Sequence, residues 1–526
     1  MFVLLSLIPL VLFLGITILV RKGILLAALT ALVATIFISI SVWQVSLPHL
    51  AAASIQGVFT ALEIILIVFG ALLLINTLKK TNSFFFLRNI FESISHDKRV
   101  LVVLIGWGLI YFLEGVAGFG TPAVITIPIF IALGFAPLTA VVLSLIGDSV
   151  PVIFGAIGLP VTYGLLSPLA EFGISAAFSK ALPLIIAGLN FIGSAVIPVS
   201  LLFIFSRMEK KPFSQFVEFI PFALVVGFIT SAMAFATTYF IGPELPSVVG
   251  GITAITLVII MVKYQILIPK NKAAETILPT NHLKNKLADT FRVLTPYTVL
   301  FVLLIISRLP FLPFREWLMN AFVIYNPTVL GVATNYSFYP LYSAGTLMIV
   351  VALLSFLILG LSVKKAKEVI IESTKKAILP FIILALILAF VQIFLSSGHN
   401  ASDLPSMLLI LAHATSETLG PIWPLITPII GALGSFAAGS ATISNIIFSG
   451  FHYQTALSVG FNPLLILSLQ GLGAAAGNMI APHNIIAALT VAGLIGKEHN
   501  VIRRNLPILL IYLVIIGLVG VALAVI

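Results

Sequence analysis

The sequence predicts an all-α polytopic membrane protein made of two inverted-topology repeats with re-entrant or broken helices. The first observation behind this is composition. Of 526 residues, 60% are hydrophobic and only 8% charged, and mean hydropathy is +1.22. A soluble domain carries about a quarter charged residues to cover its core. The second is length: apolar runs of about 20 residues, enough to cross a bilayer as helix, recur from end to end. In hydrocarbon each backbone amide must be satisfied within its own element, so such runs form helices, and they lack the alternation of pore-lining strands. The third is the placement of Lys and Arg, which fixes direction.

Expected spans are 2–20, 24–45, 56–78, 181–205, 217–241, 247–263, 292–307, 342–363, 377–395 and 506–526. The first has no basic segment before it, and Arg21 and Lys22 follow it, so it reads as a retained span rather than a signal peptide. Two less regular apolar regions, 100–180 and 404–496, are rich in Gly, Pro, Ser, Thr and Asn. Of the 27 Lys and Arg residues, all but Lys180, Arg308 and Arg315 fall in clusters that can share one side. The formal charge of +10 is thus a positive-inside bias, with the clusters cytoplasmic and both ends of the chain external, and it calls for no nucleic-acid partner. A multi-pass protein of the plasma membrane is expected.

Parity then constrains the irregular regions. Region 100–180 must enter from the cytoplasm and leave outside, whereas 404–496 must enter from outside and leave at Lys497. The two run in opposite directions, and they also resemble each other. Gly134-Phe135-Ala136-Pro137-Leu138 matches Gly460-Phe461-Asn462-Pro463-Leu464, and flanking spans keep similar offsets. Residues 1–210 are therefore expected to form one repeat and 291–526 the other, with 211–290 a two-span connector and cytoplasmic loop. Inverted repeats with interrupted helices are a transporter design, and an oligomer is expected if a rigid scaffold carries a moving part. The longest polar loop, 264–291, is too short for a catalytic or sensing domain, so no enzyme is expected.

Few residues carry chemistry. Three glycines and a proline within Gly115–Pro122 cannot continue a stable helix. Gly118, Gly120 and Thr121 would then face solute, the alternative being close packing through small residues. In the second region Ser440, Thr442, Ser444 and Asn445 are costly in apolar surroundings unless they bind a ligand or one another. Helix starts exposed at such breaks can hold an anion without a buried cation. Asn478 stands at a further break. A carboxylate inside the membrane is costly when ionised and is a functional candidate by default. Glu114 and Asp148 adjoin breaks, and Glu63 lies mid-span, where a packing role is the equal alternative. His483 alone of eight histidines adjoins a break and suits proton exchange, a structural role again being the alternative. There is no cysteine, hence no disulfide or thiolate metal site, and no P-loop, His-Glu-x-x-His or dinucleotide fingerprint. No cofactor or metal is expected.

Phe112-Leu113-Glu114-Gly115-Val116-Ala117-Gly118-Phe119-Gly120-Thr121-Pro122, Pro151-Val152-Ile153-Phe154-Gly155-Ala156-Ile157-Gly158-Leu159-Pro160 and Gly439–Asn445 resemble, in this order, the lactate permeases. So do Glu63 with Phe69-Gly70-Ala71, and Gly493-Leu494-Ile495-Gly496-Lys497-Glu498. The resemblance implies a transporter with paired re-entrant hairpins that takes up L-lactate or a similar 2-hydroxy monocarboxylate such as glycolate by proton symport. It departs from the family pattern at Ala441, Asn478 and His483, where an acid, a lysine and a glutamine are common, and at Asp148, where an asparagine is expected. Sodium coupling, or another organic anion, is the alternative that Ser440, Thr442 and Asn445 would also suit.

Overall fold

The computed structural model describes residues 1–16, 24–81, 93–118, 120–269, 287–308, 312–494 and 496–525. Within these the chain is mostly helical, and eleven segments are long and apolar enough to cross a membrane. In order the helices are α1 (Phe2–Gly15), α2 (Ile24–Ser41), α3 (Leu47–Lys80), α4 (Lys98–Ala117), α5 (Thr121–Ala132), α6 (Pro137–Gly147), α7 (Ala176–Met208), α8 (Ile220–Phe240) and α9 (Pro246–Lys263). After the connector come α10 (Leu287–Arg308), α11 (Pro313–Asn320), α12 (Ala344–Ile358), α13 (Val363–Ser396), α14 (Met407–Leu419) and α15 (Trp423–Ala438). The last are α16 (Ala441–Val459), α17 (Pro463–Gly477), α18 (Pro482–Ala492) and α19 (Glu498–Val525). The expected span 2–20 is described only to residue 16.

Seven of the ten expected spans coincide with helices long and apolar enough to cross a membrane, and those at 2–20, 292–307 and 342–363 fall on helices whose described apolar part is shorter. Helix α3 begins at Leu47 and α13 at Val363, well before the runs 56–78 and 377–395. In α13 the basic cluster Lys364–Lys376 continues the helix rather than forming a loop. Its charged turns meet the end of α3, where Lys80 pairs with Glu368 at 2.9 Å. Solvent screens an exposed pair of this kind, so it adds little to stability. The contact sets register more than stability.

Small residues let the helix backbones approach, since burial against lipid gives helices little reason to associate. Gly57 of α3 lies against the backbone of Leu388 and Ala389 in α13, and Gly345 of α12 against Leu66 and Ile67 of α3. Any Cβ at these positions would collide with backbone. Helix α3 is thereby held between α12 and α13, while α7 packs on α17. Helices before residue 210 thus pack on helices after 291 as well as on one another.

The all-α expectation fails in one place. Residues Ile324–Val329 (β1) and Val332–Phe338 (β2) form an antiparallel hairpin. Its two-residue turn, Leu330 and Gly331, has φ of +52° and +81°, the positive values that match strand twist. The ladder shifts register between Asn326 and Thr328, at Pro327, which has no N–H to donate. The β-branched residues of this stretch carried the signal. It was outweighed by the apolar helices around it.

Candidate functional site

Four helix interruptions converge. Helix α4 ends at Gly118 (φ +59°) and α5 starts after Gly120 (φ +70°). Positive φ at both is the freedom that glycine supplies. Helix α15 stops at Gly439 (φ +65°), and α16 starts at once, capped by Ser440, whose Oγ accepts from the Ile443 N–H at 3.4 Å. Helix α6 ends at Gly147, and α17 turns through Asn478–Ile480 into α18. Beyond α6 the backbone of Ala156, Ile157 and Gly158 is left-handed, with φ of +43°, +57° and +73°. Two of these are not glycine, and each L-residue so placed costs about 1–2 kcal/mol.

The interruptions enclose a cavity of about 1110 Å³. Glu114, Gly118, Gly120, Ser440, Thr442 and Asn478 line it. It reaches Glu498 and His499 at the start of α19, next to Lys497. Pockets for drug-sized ligands run from about 300 to 1,000 Å³, so this one has ample room for a small solute. Among the described residues no Lys or Arg lines it. What it offers an anion are neutral donors: the Ser440 hydroxyl, free to donate while it accepts from Ile443, the Thr442 hydroxyl, and the first N–H groups of α16, which have no intrahelical partner.

Not every expected site residue faces this space. Ser444 and Asn445 are fully buried behind it. Ser444 donates to the Gly431 carbonyl at 2.8 Å, and Asn445 donates to the Pro160 carbonyl at 3.1 Å. Gln470 donates to both, at 3.2 and 3.3 Å. The reason is depth along the helix: residues 440–443 at the start of α16 line the cavity, and Ser444 and Asn445 lie one turn further in, behind Ser440 and Thr442 on the same sides of the helix. They are held there by backbone carbonyls and by Gln470, the alternative outcome for clustered polar groups in an apolar region. Asn478 does line the cavity, and its Oδ1 accepts from Asn484 at 2.7 Å. The side chains of Thr121 and His483 lie outside the described residues.

The three carboxylates separate into two places. Glu114 and Asp148 are buried side by side within hydrogen-bonding reach, and Glu114 Oε2 and Asp148 Oδ1 have no partner. Gly155 leaves room for the Glu114 carboxyl, since a Cβ there would collide with Oε1. Glu63 stands apart. It accepts from Tyr163 at 3.0 Å and from Tyr336 of β2. Its partners come from 100 and 273 positions away, which no local pattern shows. Gln470 was equally missed, although an amide inside the apolar run Leu464–Leu472 was a usable signal. Among the described residues no group of His, Asp and Glu is arranged to hold a metal ion.

Residues 2–526 match the family model described as L-lactate permease. The glycolate permease GlcA of Escherichia coli is 28% identical over 559 aligned positions, covering 98% of this chain and 94% of the relative. The L-lactate permease of Bacillus subtilis is 27% identical, covering 94% and 90%. Two solved transporters are more distant: Neisseria gonorrhoeae MtrF, at 12% identity and TM-score 0.40 over 86% of this chain and 80% of that one, and Alcanivorax borkumensis YdaH, at 15% and 0.33 over 71% and 86%. Its relatives are permeases rather than enzymes, and with eleven segments among the described residues long and apolar enough to cross a membrane the chain is a multi-pass membrane protein that belongs to the L-lactate permease family.

Proposed function

We propose that this protein carries L-lactate, or a similar small 2-hydroxy monocarboxylate such as glycolate, across the plasma membrane in symport with a proton. The observation that carries the reading is the cavity at which four helix interruptions meet, with neutral donors for an anion and Glu114 on its wall, Asp148 lying beside Glu114. The relatives named for L-lactate and glycolate supply the substrate class. Gly118, Gly120 and Thr121 from one hairpin, and Ser440, Thr442 and Asn478 from the other half, would surround the substrate. Its carboxylate would take N–H and O–H donors at the α16 start.

Glu114 and Asp148 would carry the coupled proton. Two carboxyls in contact cannot both hold a negative charge in a dry site, so one proton belongs to the pair. Release of that proton beside a bound anion is unfavourable, which ties the two passengers together. Asp148 stands where the family pattern has an asparagine, and the pair is one consequence of that difference. His483 and Glu63 remain further coupling residues in this reading.

Alternating access would come from two inverted repeats, 1–210 and 291–526, joined by 211–290. Two observations support it. Lys98 at the start of α4 donates to the Gly134 carbonyl after α5 at 2.7 Å, so both feet of that hairpin lie at one end. Gly420 before α15 lies against Val459, the last residue of α16, so that hairpin also starts and finishes at one face, next to the loop assigned to the outside by charge. The test is uptake of radiolabelled L-lactate into proteoliposomes under an imposed pH gradient, with and without sodium. Accumulation that follows the pH gradient alone supports the reading. Accumulation that requires sodium replaces the proton, and no uptake of lactate or glycolate overturns the substrate.

A further inference from the structure

The main cavity shares a wall with another. Beyond it lies a second, smaller cavity of about 130 Å³. Neighbouring residues divide between the two. Ile64, Ala156 and Pro160 line the large cavity, whereas Glu63, Ile157 and Tyr163 line the small one. The wall is thus one residue thick, made of α3 on one side and the left-handed segment after α6 on the other. The small cavity is also lined by Glu244 and Tyr339, from loops that the charge distribution places outside.

Glu63 fastens this wall. Both its carboxyl oxygens are engaged, Oε2 by the Tyr163 hydroxyl at 3.0 Å and Oε1 by that of Tyr336. Three segments are tied at one point: α3, the interrupted segment and the hairpin, whose Tyr336 ring also packs on Phe59 at 5.1 Å. A wall meant to stay shut would be made as well from apolar side chains, which avoid the cost of burying a carboxyl. Hydroxyls on a carboxyl suit a contact that parts and is rehydrated, because water replaces the lost hydrogen bonds at little net cost.

We propose that Glu63, Tyr163 and Tyr336 form the outer gate of the transport path, closed here while the main cavity reaches the opposite face. The gate rests on the transport reading above. In the open state both tyrosines leave Glu63, the two cavities join, and the hairpin with the segment around Tyr163 moves off α3.

The chain has no cysteine, so a single thiol can report access. Ala437→Cys places one on the wall of the main cavity. A membrane-impermeant maleimide added to whole cells must pass the gate to reach it, whereas in inside-out vesicles it enters through the cavity mouth. Labelling from outside is expected to be slow in Ala437→Cys alone. Loss of one hydrogen bond by Tyr336→Phe, which keeps the ring on Phe59, should speed it about fivefold, and Glu63→Ala should speed it more. Unchanged outside labelling in Tyr336→Phe, with parental labelling in inside-out vesicles to show an intact fold, overturns the gate even if Glu63→Ala does not fold. Protection of Ala437→Cys by L-lactate in inside-out vesicles is read without the gate. Its absence would count against the transport reading and leave the gate result separate.

Discussion

The Asn445 amide donates to the Pro160 carbonyl at 3.1 Å, across 285 positions of sequence. This bond joins the first turns of α16 to the end of the left-handed segment Ala156–Gly158. Gln470 steadies it from behind by donating to Asn445 Oδ1 and Ser444 Oγ. Asn445 therefore positions the wall of the cavity, and its contribution is read first as stability.

Replacing Asn445 by Leu removes its bonds to Pro160 and Gln470, while Gln470 keeps Ser444 Oγ. Each buried hydrogen bond contributes about 0.5–1.5 kcal/mol net, so the thermal midpoint in detergent should fall. Gln470→Leu should lower it too, and the double variant should lose less than both singly, because each removes part of one network. Strict additivity in that cycle would show that the two amides act independently.

Glu114→Gln tests the coupling. The amide resembles a permanently protonated carboxyl, so exchange of labelled for unlabelled lactate should persist while accumulation driven by a pH gradient falls towards equilibration. Asp148→Asn restores the residue expected from the family pattern and should leave more of the gradient-driven accumulation. Parental accumulation in Glu114→Gln across pH 5 to 8 would move the proton to Asp148 or elsewhere.

Affinity should be spread over several weak contacts, since among the described residues no Lys or Arg lines the cavity. Each neutral hydrogen bond contributes about 0.5–1.5 kcal/mol net. Ser440→Ala and Thr442→Val should each weaken lactate binding by about tenfold or less. Binding measured calorimetrically on purified protein would show this. Complete loss from a single basic substitution such as Lys180→Ala would place the carboxylate elsewhere.

The spans and the positions of the breaks were legible because they rest on local rules: apolar length, charge placement, and the failure of Gly-Phe-Gly-Thr-Pro to continue a helix. How far along each resumed helix the cavity reaches was not legible. That depends on the packing around the break, and here the cavity ends at the first turn of α16, with Ser440 and Thr442 on it and Ser444 and Asn445 one turn behind. Glu63 shows the other limit. Its partners Tyr163 and Tyr336 come from an interrupted segment and an external hairpin, and only the folded chain sets them together. The pairing of Glu114 with Asp148 lies between these cases. Both adjoined breaks in the sequence, but their contact required the packing of α4 beside α6.

The left-handed run Ala156–Gly158 gives a prediction in which stability and function part. Ala156 holds φ +43° and ψ +50°, a conformation costing an L-residue about 1–2 kcal/mol and glycine almost nothing. Glycine in turn has more backbone freedom to lose on folding, about 0.5–1 kcal/mol. Ala156→Gly should therefore leave stability unchanged or raise it by up to about 1.5 kcal/mol, visible as an equal or higher thermal midpoint. Strain retained at a site that must change shape is often part of the change. This segment divides the two cavities, with Ala156 on one and Ile157 on the other. Relief of the strain should favour the form with the gate closed and slow lactate uptake severalfold, with binding affinity little altered. A lower thermal midpoint in Ala156→Gly would show that the turn is not strained. A raised midpoint with parental uptake would show that its strain plays no part in transport.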